Sequence, residues 1–207
     1  MVKTKFNKIF GKCRIVGFAG NRNSGKTNAL VSLINDLRKN KKVTPIYLYG
    51  FQEDVVKYLV RLGNVFVVSE LRQLIGKSNA IFILDEFQKL HLNDRKQKDL
   101  MISFVSMIYH HDNNNYAVLC SPSLREYNSI IGGYIEKWVV KSINFTDLIN
   151  GSQLKKAVES YKGQYKQMDD IIVPVNKMLM LGGEVEEVLH SPYVKEVDLK
   201  RNIVSIL

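Results

Sequence analysis

Apolar residues along this chain alternate between short continuous runs and stretches with helical spacing. Continuous runs rich in β-branched and aromatic residues predict strands at 14–19, 46–49, 65–68, 80–84, 116–120 and 138–141. Apolar residues that recur every three or four positions predict helices at 26–39, 53–62, 70–75 and 96–109. Strands and helices alternate in this way when helices cover both faces of a mostly parallel sheet. We therefore expect an α/β fold with three layers.

The pattern changes in the last third of the chain. A helix is predicted from 147 to about 160, and β-prone runs follow at 171–175 and 177–181. We expect these two runs to form a hairpin on the edge of the sheet.

Residues 20–27 read Gly-Asn-Arg-Asn-Ser-Gly-Lys-Thr and match the phosphate-loop pattern G-x-x-x-x-G-K-[ST] in full, between a predicted strand and a predicted helix. In such a loop, backbone N–H groups and the helix N-terminus point at phosphate oxygens. We expect Lys26 to reach the β- and γ-phosphates of ATP, and the Thr27 hydroxyl to bind Mg²⁺. The predicted nucleotide contacts are Gly20, Asn21, Arg22, Asn23, Ser24, Gly25, Lys26, Thr27 and Asn28.

Two acidic residues follow the apolar run at 80–84. A buried strand would deliver Asp85 to the carboxyl edge of the sheet beside the phosphate loop, where its carboxylate can help to hold Mg²⁺. Glu86 is then placed to orient and polarise an attacking water molecule. The pair predicts hydrolysis of ATP, with Glu86 and Lys26 as catalytic residues and Thr27 and Asp85 as Mg²⁺ ligands.

The phosphate loop and the acidic pair together resemble the additional-strand P-loop ATPases, specifically the FtsK/HerA superfamily of DNA-pumping motors. The run YAVLCS at 116–121 stands where that family has its third conserved strand. The run SIIGGYIEKWVV at 129–140 is similar to the turn, helix and strand that come next. The resemblance covers 14–160 and implies a RecA-like sandwich, ATP and Mg²⁺ as ligands, DNA as partner and a homo-oligomeric ring.

The small size of the chain is similar to that of the genome-packaging ATPases of membrane-containing and archaeal viruses. That resemblance implies action in the host cytoplasm or on the virion, with a capsid or portal vertex protein as a further partner. The segment 87–121, with its His110–His111 pair, also resembles the Zot-type assembly ATPases of filamentous phages. Those proteins usually carry a transmembrane segment, whereas apolar runs here, such as 80–84, are too short to span a bilayer.

Two positions depart from the family pattern. The family usually ends its third conserved strand with a glutamine that senses the γ-phosphate, where this chain has Ser121 as the candidate sensor and Ser123 as the alternative. The family also supplies an arginine finger from the neighbouring subunit, often near the end of the preceding helix, but 109–112 contains no arginine. Arg125 and Arg95 are the remaining candidates, because a cation is required at the transferred phosphate.

The charge of the chain is concentrated at its beginning. The net charge is +10, and residues 1–42 hold 11 basic residues and one acid, so the remainder is neutral. Such a basic segment, including Lys3, Lys5, Lys8, Lys12 and Arg14, either contacts nucleic-acid phosphates without reading sequence or is a solvated tail. We divide the chain into a basic arm at 1–13, a P-loop ATPase core at 14–160 and a β-rich extension packed on the core at 161–207.

Two other functions remain open. Asp85-Glu86-Phe87-Gln88 is similar to a segment of the thymidine kinases, which favours a small-molecule, nucleoside-type kinase. Those enzymes generally carry a four-cysteine zinc lasso, however, and this chain has only Cys13 and Cys120. Two cysteines also form no disulfide framework, which fits a reducing compartment. The second alternative is a switch that binds ATP without hydrolysing it, against which Glu86 argues.

Overall fold

The structure is a computed structural model that describes residues 9–20, 24–40, 43–90, 94–122, 131–144, 170–172, 177–181 and 187–190. Its strands are β1 (Ile15–Ala19), β2 (Ile46–Tyr49), β3 (Val65–Val67), β4 (Ile81–Leu84), β5 (Tyr116–Ser121), β6 (Lys137–Val140), β7 (Ser142–Asn144), β8 (Asp170–Ile172), β9 (Lys177–Leu181) and β10 (Glu187–His190). Its α-helices are α1 (Lys26–Asn40), α2 (Glu53–Val60) and α3 (Arg95–Tyr109). Short 3-10 helices span Leu71–Leu74, Phe87–Leu90, His111–Asn113 and Gly132–Tyr134.

Most strands form one sheet in the order β10-β9-β6-β1-β5-β4-β2-β3. From β6 to β3 every neighbouring pair is parallel, whereas β9 pairs antiparallel with β6 and β10 antiparallel with β9. The expected mostly parallel sheet is therefore confirmed. Because parallel strands point the same way, the residues that follow β1, β2, β4, β5 and β6 meet at one edge of the sheet.

Two hydrophobic cores lie on opposite faces of this sheet. Alternation along β1 separates them, because Val16 and Phe18 belong to one core, whereas Ile15 and Ala19 belong to the other. The face of Val16 and Phe18 is covered by α1, and the opposite face is covered by α3. This is the predicted three-layer sandwich. Among the helices that the structure describes, none is both long and apolar enough to cross a membrane.

The predicted strands and helices from 14 to 141 are present, with ends that shift by one or two residues. The stretch at 70–75 forms a 3-10 helix over Leu71–Leu74 and not an α-helix. Its turn is held by the Gln73 side chain, which accepts a hydrogen bond from the backbone N–H of Glu70 at 3.1 Å. The helix predicted after 147 lies outside the described residues.

The tail pairs differently from the predicted hairpin of 171–175 with 177–181. That pairing is wrong, because β8 ends at Ile172 and pairs with β7 in a separate two-stranded sheet. The hairpin on the sheet edge consists instead of β9 and β10, and it joins the parallel sheet through β6.

The first described residues belong to the core and not to a free arm. Ile9 and Phe10 fall inside the segment predicted as a basic arm, yet both are fully buried in the core beneath α1. Arg14 also makes internal contacts, since its guanidinium donates to Asn114 Oδ1 at 3.2 Å and lies 4.8 Å from the ring centre of Tyr116. Any free arm therefore ends before Ile9. The remainder of the three-part division stays a prediction.

Candidate nucleotide-binding site

The phosphate loop connects β1 to α1 at the carboxyl edge of the sheet. Lys26 is the first residue of α1, and the first turn is closed by the Ala29 N–H, which donates to Gly25 O at 3.0 Å. The Lys26 side chain folds back over the loop, where its Nζ donates to Gly20 O at 2.5 Å. Residues 21–23 of the predicted nucleotide contacts lie outside the described residues.

The ammonium group of Lys26 is in a poorly solvated position. Lys26 is only 9% exposed, and this burial lowers the pKa of its ammonium group. The negative charges of Asp85 and Glu86 raise the same pKa. The cation is thus held near two acids and close to the loop, which is where phosphate charge would be neutralised.

Asp85 immediately follows β4 and faces the phosphate loop. Its carboxylate accepts a hydrogen bond from Thr27 Oγ1 at 3.3 Å and another from the Glu86 backbone N–H at 3.0 Å. Its own N–H donates to Tyr49 O at 2.8 Å, which continues the β2–β4 ladder past the end of the strand. Burial raises the pKa of Asp85, whereas the Cys120 thiol and the Lys26 charge act in the opposite direction. The two residues predicted as Mg²⁺ ligands are therefore in contact.

Glu86 leaves the strand direction sharply. Its φ is 50°, in the left-handed region that residues with a side chain seldom occupy. Such conformations are retained where the surrounding structure imposes them, and they are concentrated at functional sites. The turn brings the Glu86 side chain, which is half-buried, past the end of β4 and next to Asp85. It is close enough to Lys26 to raise the pKa of that lysine.

The candidate sensor lies at the same edge of the sheet. Ser121 is the last residue of β5, is fully buried, and pairs in register with Ala19, directly before the phosphate loop. Of the two arginine-finger candidates, the structure describes only Arg95. Arg125 lies outside the described residues, and Arg95 is exposed at the first residue of α3. The structure thus brings Ser121 to the loop and leaves the finger unassigned.

Two residues that border the site were not predicted from the sequence. Cys120 is fully buried in β5 and lies beside Asp85, one position beyond the Leu84–Leu119 pair. Gly50 follows β2 with φ of 81°, and a Cβ built there would lie 1.9 Å from the backbone oxygen of Asp85. Only the register of β4 with β5 shows that Cys120 lies beside Asp85. The residue pattern of either strand alone does not contain that register.

The described residues fit an ATP molecule with its Mg²⁺. The Ser24 Oγ in the loop is buried without a hydrogen-bond partner among the described residues, so it can meet a polar ligand. The adjacent oxygens of Thr27 and Asp85 are the hard donors that Mg²⁺ prefers. The side chains that would hold these groups are those of Ser24, Lys26, Thr27 and Asp85.

Comparison of structures finds proteins similar to this chain, whereas comparison of sequences finds none. No protein-family model matches the sequence, and no curated protein sequence matches it. The structure is similar to that of B204, the DNA-packaging ATPase from Sulfolobus Turreted Icosahedral Virus, with a TM-score of 0.60 and 14% identity. This likeness covers 87% of the chain and 98% of the viral protein.

The strand order decides the type of fold. One strand, β5, lies between β1, which leads into the phosphate loop, and β4, which leads into Asp85 and Glu86. That is the additional-strand arrangement which the resemblance implied. The chain has the fold of an FtsK/HerA-type P-loop ATPase.

Other proteins share the FtsK/HerA-type fold at a similar level of structural similarity. The conjugation coupling protein TcpA of pCW3, in a structure with ATPγS, matches with a TM-score of 0.56 and 14% identity over 92% of this chain and 66% of TcpA. The cytoplasmic domain of the Type VII secretion ATPase EccC from Thermomonospora curvata matches with a TM-score of 0.59 and 14% identity. That match covers 87% of this chain and 25% of EccC. At 14% identity these similarities establish the fold alone. Activity has to be argued from the residues of the site.

Proposed function

We propose that this protein is an ATP-hydrolysing motor that moves DNA, and that it packages a viral or phage genome into a capsid. The contact between Thr27 and Asp85, 3.3 Å apart, carries the proposal of hydrolysis. It joins the phosphate loop to the acidic strand end beside Glu86, so the cation, the metal ligands and the base belong to one site. A loop that only bound a nucleotide would need no base beside the metal ligands.

Each side chain has a distinct task in this reaction. Lys26 neutralises charge on the β- and γ-phosphates. Because Lys26 is only 9% exposed, water screens this interaction little. Glu86 accepts a hydrogen bond from the attacking water and holds it in line with the γ-phosphorus. Thr27 and Asp85 hold Mg²⁺, which when bound withdraws charge from the phosphate oxygens. Ser121 is the proposed sensor of the γ-phosphate.

The proposal of DNA as the cargo rests on charge and on similarity of fold. The chain carries a net charge of +10, and that whole excess lies within residues 1–42. Contacts from lysines to phosphates are independent of base sequence, as a motor that moves any genome requires. One of the proteins with the same fold is a viral DNA-packaging ATPase, and it matches this chain over nearly its full length.

The remaining partners follow from the same proposal. The motor works as a homo-oligomeric ring in the cytoplasm of the host cell, docked on a capsid or portal vertex protein. A neighbouring subunit supplies the arginine finger, and Arg125 and Arg95 are the candidates within this chain.

The decisive experiment measures ATP hydrolysis at low salt without DNA, with single-stranded DNA and with double-stranded DNA, together with the mass of the assembly. We expect DNA to raise the rate. We expect Lys26→Ala and Glu86→Gln to lower it by about 100-fold or more, the usual effect of losing a charge-stabilising group or a general base. Lys98→Ala and Glu53→Gln are matched controls, because both residues are exposed in helices and should leave the rate unchanged.

Several results would contradict parts of this proposal. A rate that does not respond to either DNA removes the support for translocation. Phosphoryl transfer to a nucleoside instead of water would make the protein a kinase. Hydrolysis near zero with every DNA, in protein that still binds ATP, would make the protein a nucleotide-dependent switch.

A further inference from the structure

A buried thiol stands beside the acid that the proposed function assigns to Mg²⁺. Cys120 is the penultimate residue of β5, and β5 separates β1 from β4 in the sheet. Leu84 pairs in parallel register with Leu119, so the next position along both strands places Asp85 beside Cys120. Cys120 is fully buried and Asp85 is 6% exposed. The two side chains therefore meet in a nearly water-free position behind the phosphate loop.

The Cys120 thiol lies beside the Asp85 carboxylate, one position beyond the Leu84–Leu119 pair. Burial raises the pKa of Asp85, and the neighbouring thiol lowers it. An ionised carboxylate can only accept a hydrogen bond, so the S–H group is the group that can donate one. A thiol is a weak donor, but water cannot easily replace it at a buried carboxylate, because this position is closed to solvent.

Three segments of the chain thus meet at a single carboxylate. Oδ2 accepts from Thr27 Oγ1 at 3.3 Å, and Oδ1 accepts from the Glu86 N–H at 3.0 Å. Cys120 adds a donor from β5, the strand between the loop and the acidic pair. Thr27 is itself a proposed Mg²⁺ ligand, so its bond to Asp85 can change when the ion binds. The contact from Cys120 does not involve any proposed ligand other than Asp85, and it can persist.

We propose that Cys120 is a positioning residue, whose S–H group holds the Asp85 carboxylate in the orientation that binds Mg²⁺. This inference rests on the proposed function, since it presumes that Asp85 binds the metal. Groups that orient a ligand from behind typically change metal affinity or activity by about 10- to 100-fold when they are removed. A thiol is at the weak end of the donor scale, so we expect an effect of about 10-fold.

The test measures the affinity of Mn²⁺, as a paramagnetic substitute for Mg²⁺, in full-length protein saturated with a non-hydrolysable ATP analogue. Electron paramagnetic resonance reports free Mn²⁺ without any turnover. We expect Cys120→Ala to weaken Mn²⁺ binding about 10-fold. We expect Cys120→Ser, which restores a short donor, to recover most of the affinity.

A matched control separates positioning from packing. Val118 is fully buried in the same strand and on the same face, two residues before Cys120, so Val118→Ala removes core volume without touching Asp85. We expect Val118→Ala to lower thermal stability but to leave the Mn²⁺ affinity unchanged.

The outcomes distinguish this inference from the proposed function. If the unmodified protein binds Mn²⁺ with the analogue, and Cys120→Ala and Cys120→Ser both bind it equally well, the positioning role is wrong. Equal losses of affinity in Cys120→Ala and Val118→Ala would also overturn it, since packing would then be the cause. If the unmodified protein binds neither the analogue nor Mn²⁺, the proposed function itself fails. Should Cys120→Ala not fold, an affinity for Cys120→Ser below that of Val118→Ala would likewise contradict the inference.

Discussion

Gly50 shows how one backbone position can protect the geometry of the acidic strand end. It follows β2 with φ of 81°, and any Cβ there would overlap the backbone oxygen of Asp85 at 1.9 Å. Only a glycine allows the two strand ends to come this close. A side chain at position 50 therefore displaces the Asp85 backbone and, with it, the carboxylate that contacts Thr27.

We therefore predict that Gly50→Ala lowers both stability and ATP hydrolysis. Gly76 is a matched control, because its φ is also 81° and a Cβ there meets nothing within 4 Å. The alanine variant at either position bears the cost of a left-handed backbone, about 1–2 kcal/mol. Gly50→Ala should cost about 1–3 kcal/mol more, the usual penalty of an overpacked contact. Denaturant unfolding measures this difference, and equal losses in the two variants would show that the close approach is unimportant.

Lys141 is a second buried cation at the same edge of the sheet. It follows β6, donates its N–H to Ala19 O at 2.8 Å, and is fully buried. Burial lowers the pKa of Lys141 to about 8, from 10.5. The folded protein therefore binds fewer protons at this site than the unfolded chain between pH 8 and pH 10.5, and stability from this group rises with pH across that window.

We predict that Lys141→Met removes this rise. At pH 7 the variant should be more stable than the unmodified protein by up to about 3.5 kcal/mol, because the pKa falls from 10.5 to about 8 and one pKa unit corresponds to about 1.4 kcal/mol. Near pH 10 the difference should shrink towards zero. Urea unfolding of both proteins at pH 7, 8.5 and 10 isolates the contribution, since all other groups titrate equally in the two. A difference that is constant over this range would contradict the shifted pKa.

At the scale of helices and strands, the local pattern of the sequence was sufficient over most of the core. The apolar runs at 46–49 and 116–120 became β2 and β5, because each is short, β-branched or aromatic, and ends at a polar or turn residue. The helical spacing at 26–39 became α1 for the same reason. The phosphate loop and the acidic pair were equally predictable, since their chemistry follows the order of residues along one segment.

Pairing between strands could not be predicted in the same way. The run at 177–181 was recognised as a strand, but its partners β6 and β10 are distant in sequence or carry little apolar signal, as in the Glu187–His190 strand. The contact between Cys120 and Asp85 was missed for the same physical reason. It depends on the register of two parallel strands joined by a long crossover, and each strand alone is consistent with several registers.

At the scale of the whole molecule, the segment that carries the excess charge overlaps the start of the core. The excess of +10 lies in residues 1–42, whereas the core begins as early as Ile9 and Phe10, which are fully buried. Lys3, Lys5 and Lys8 precede this buried start of the described core. Lys12 and Arg14 follow Ile9 in the sequence. Arg14 contacts Asn114 and Tyr116 at the edge of the sheet opposite the phosphate loop. A test of DNA binding by the arm should target only the earlier lysines.

We predict that replacing Lys3, Lys5 and Lys8 together with glutamine weakens binding to double-stranded DNA and reduces its dependence on salt. Each phosphate contact contributes about 0.9 to the slope of log affinity against log salt, so three lost contacts should lower the slope by about 2 to 3. Glutamine at Arg61, Lys96 and Lys98 is a control, because it removes the same charge from exposed positions in a helix or directly after one. Fluorescence anisotropy between low and physiological salt measures both slopes. If the two triple variants lose the same slope, the net charge attracts DNA and the arm has no special role; if neither changes it, the phosphate contacts lie elsewhere on the molecule.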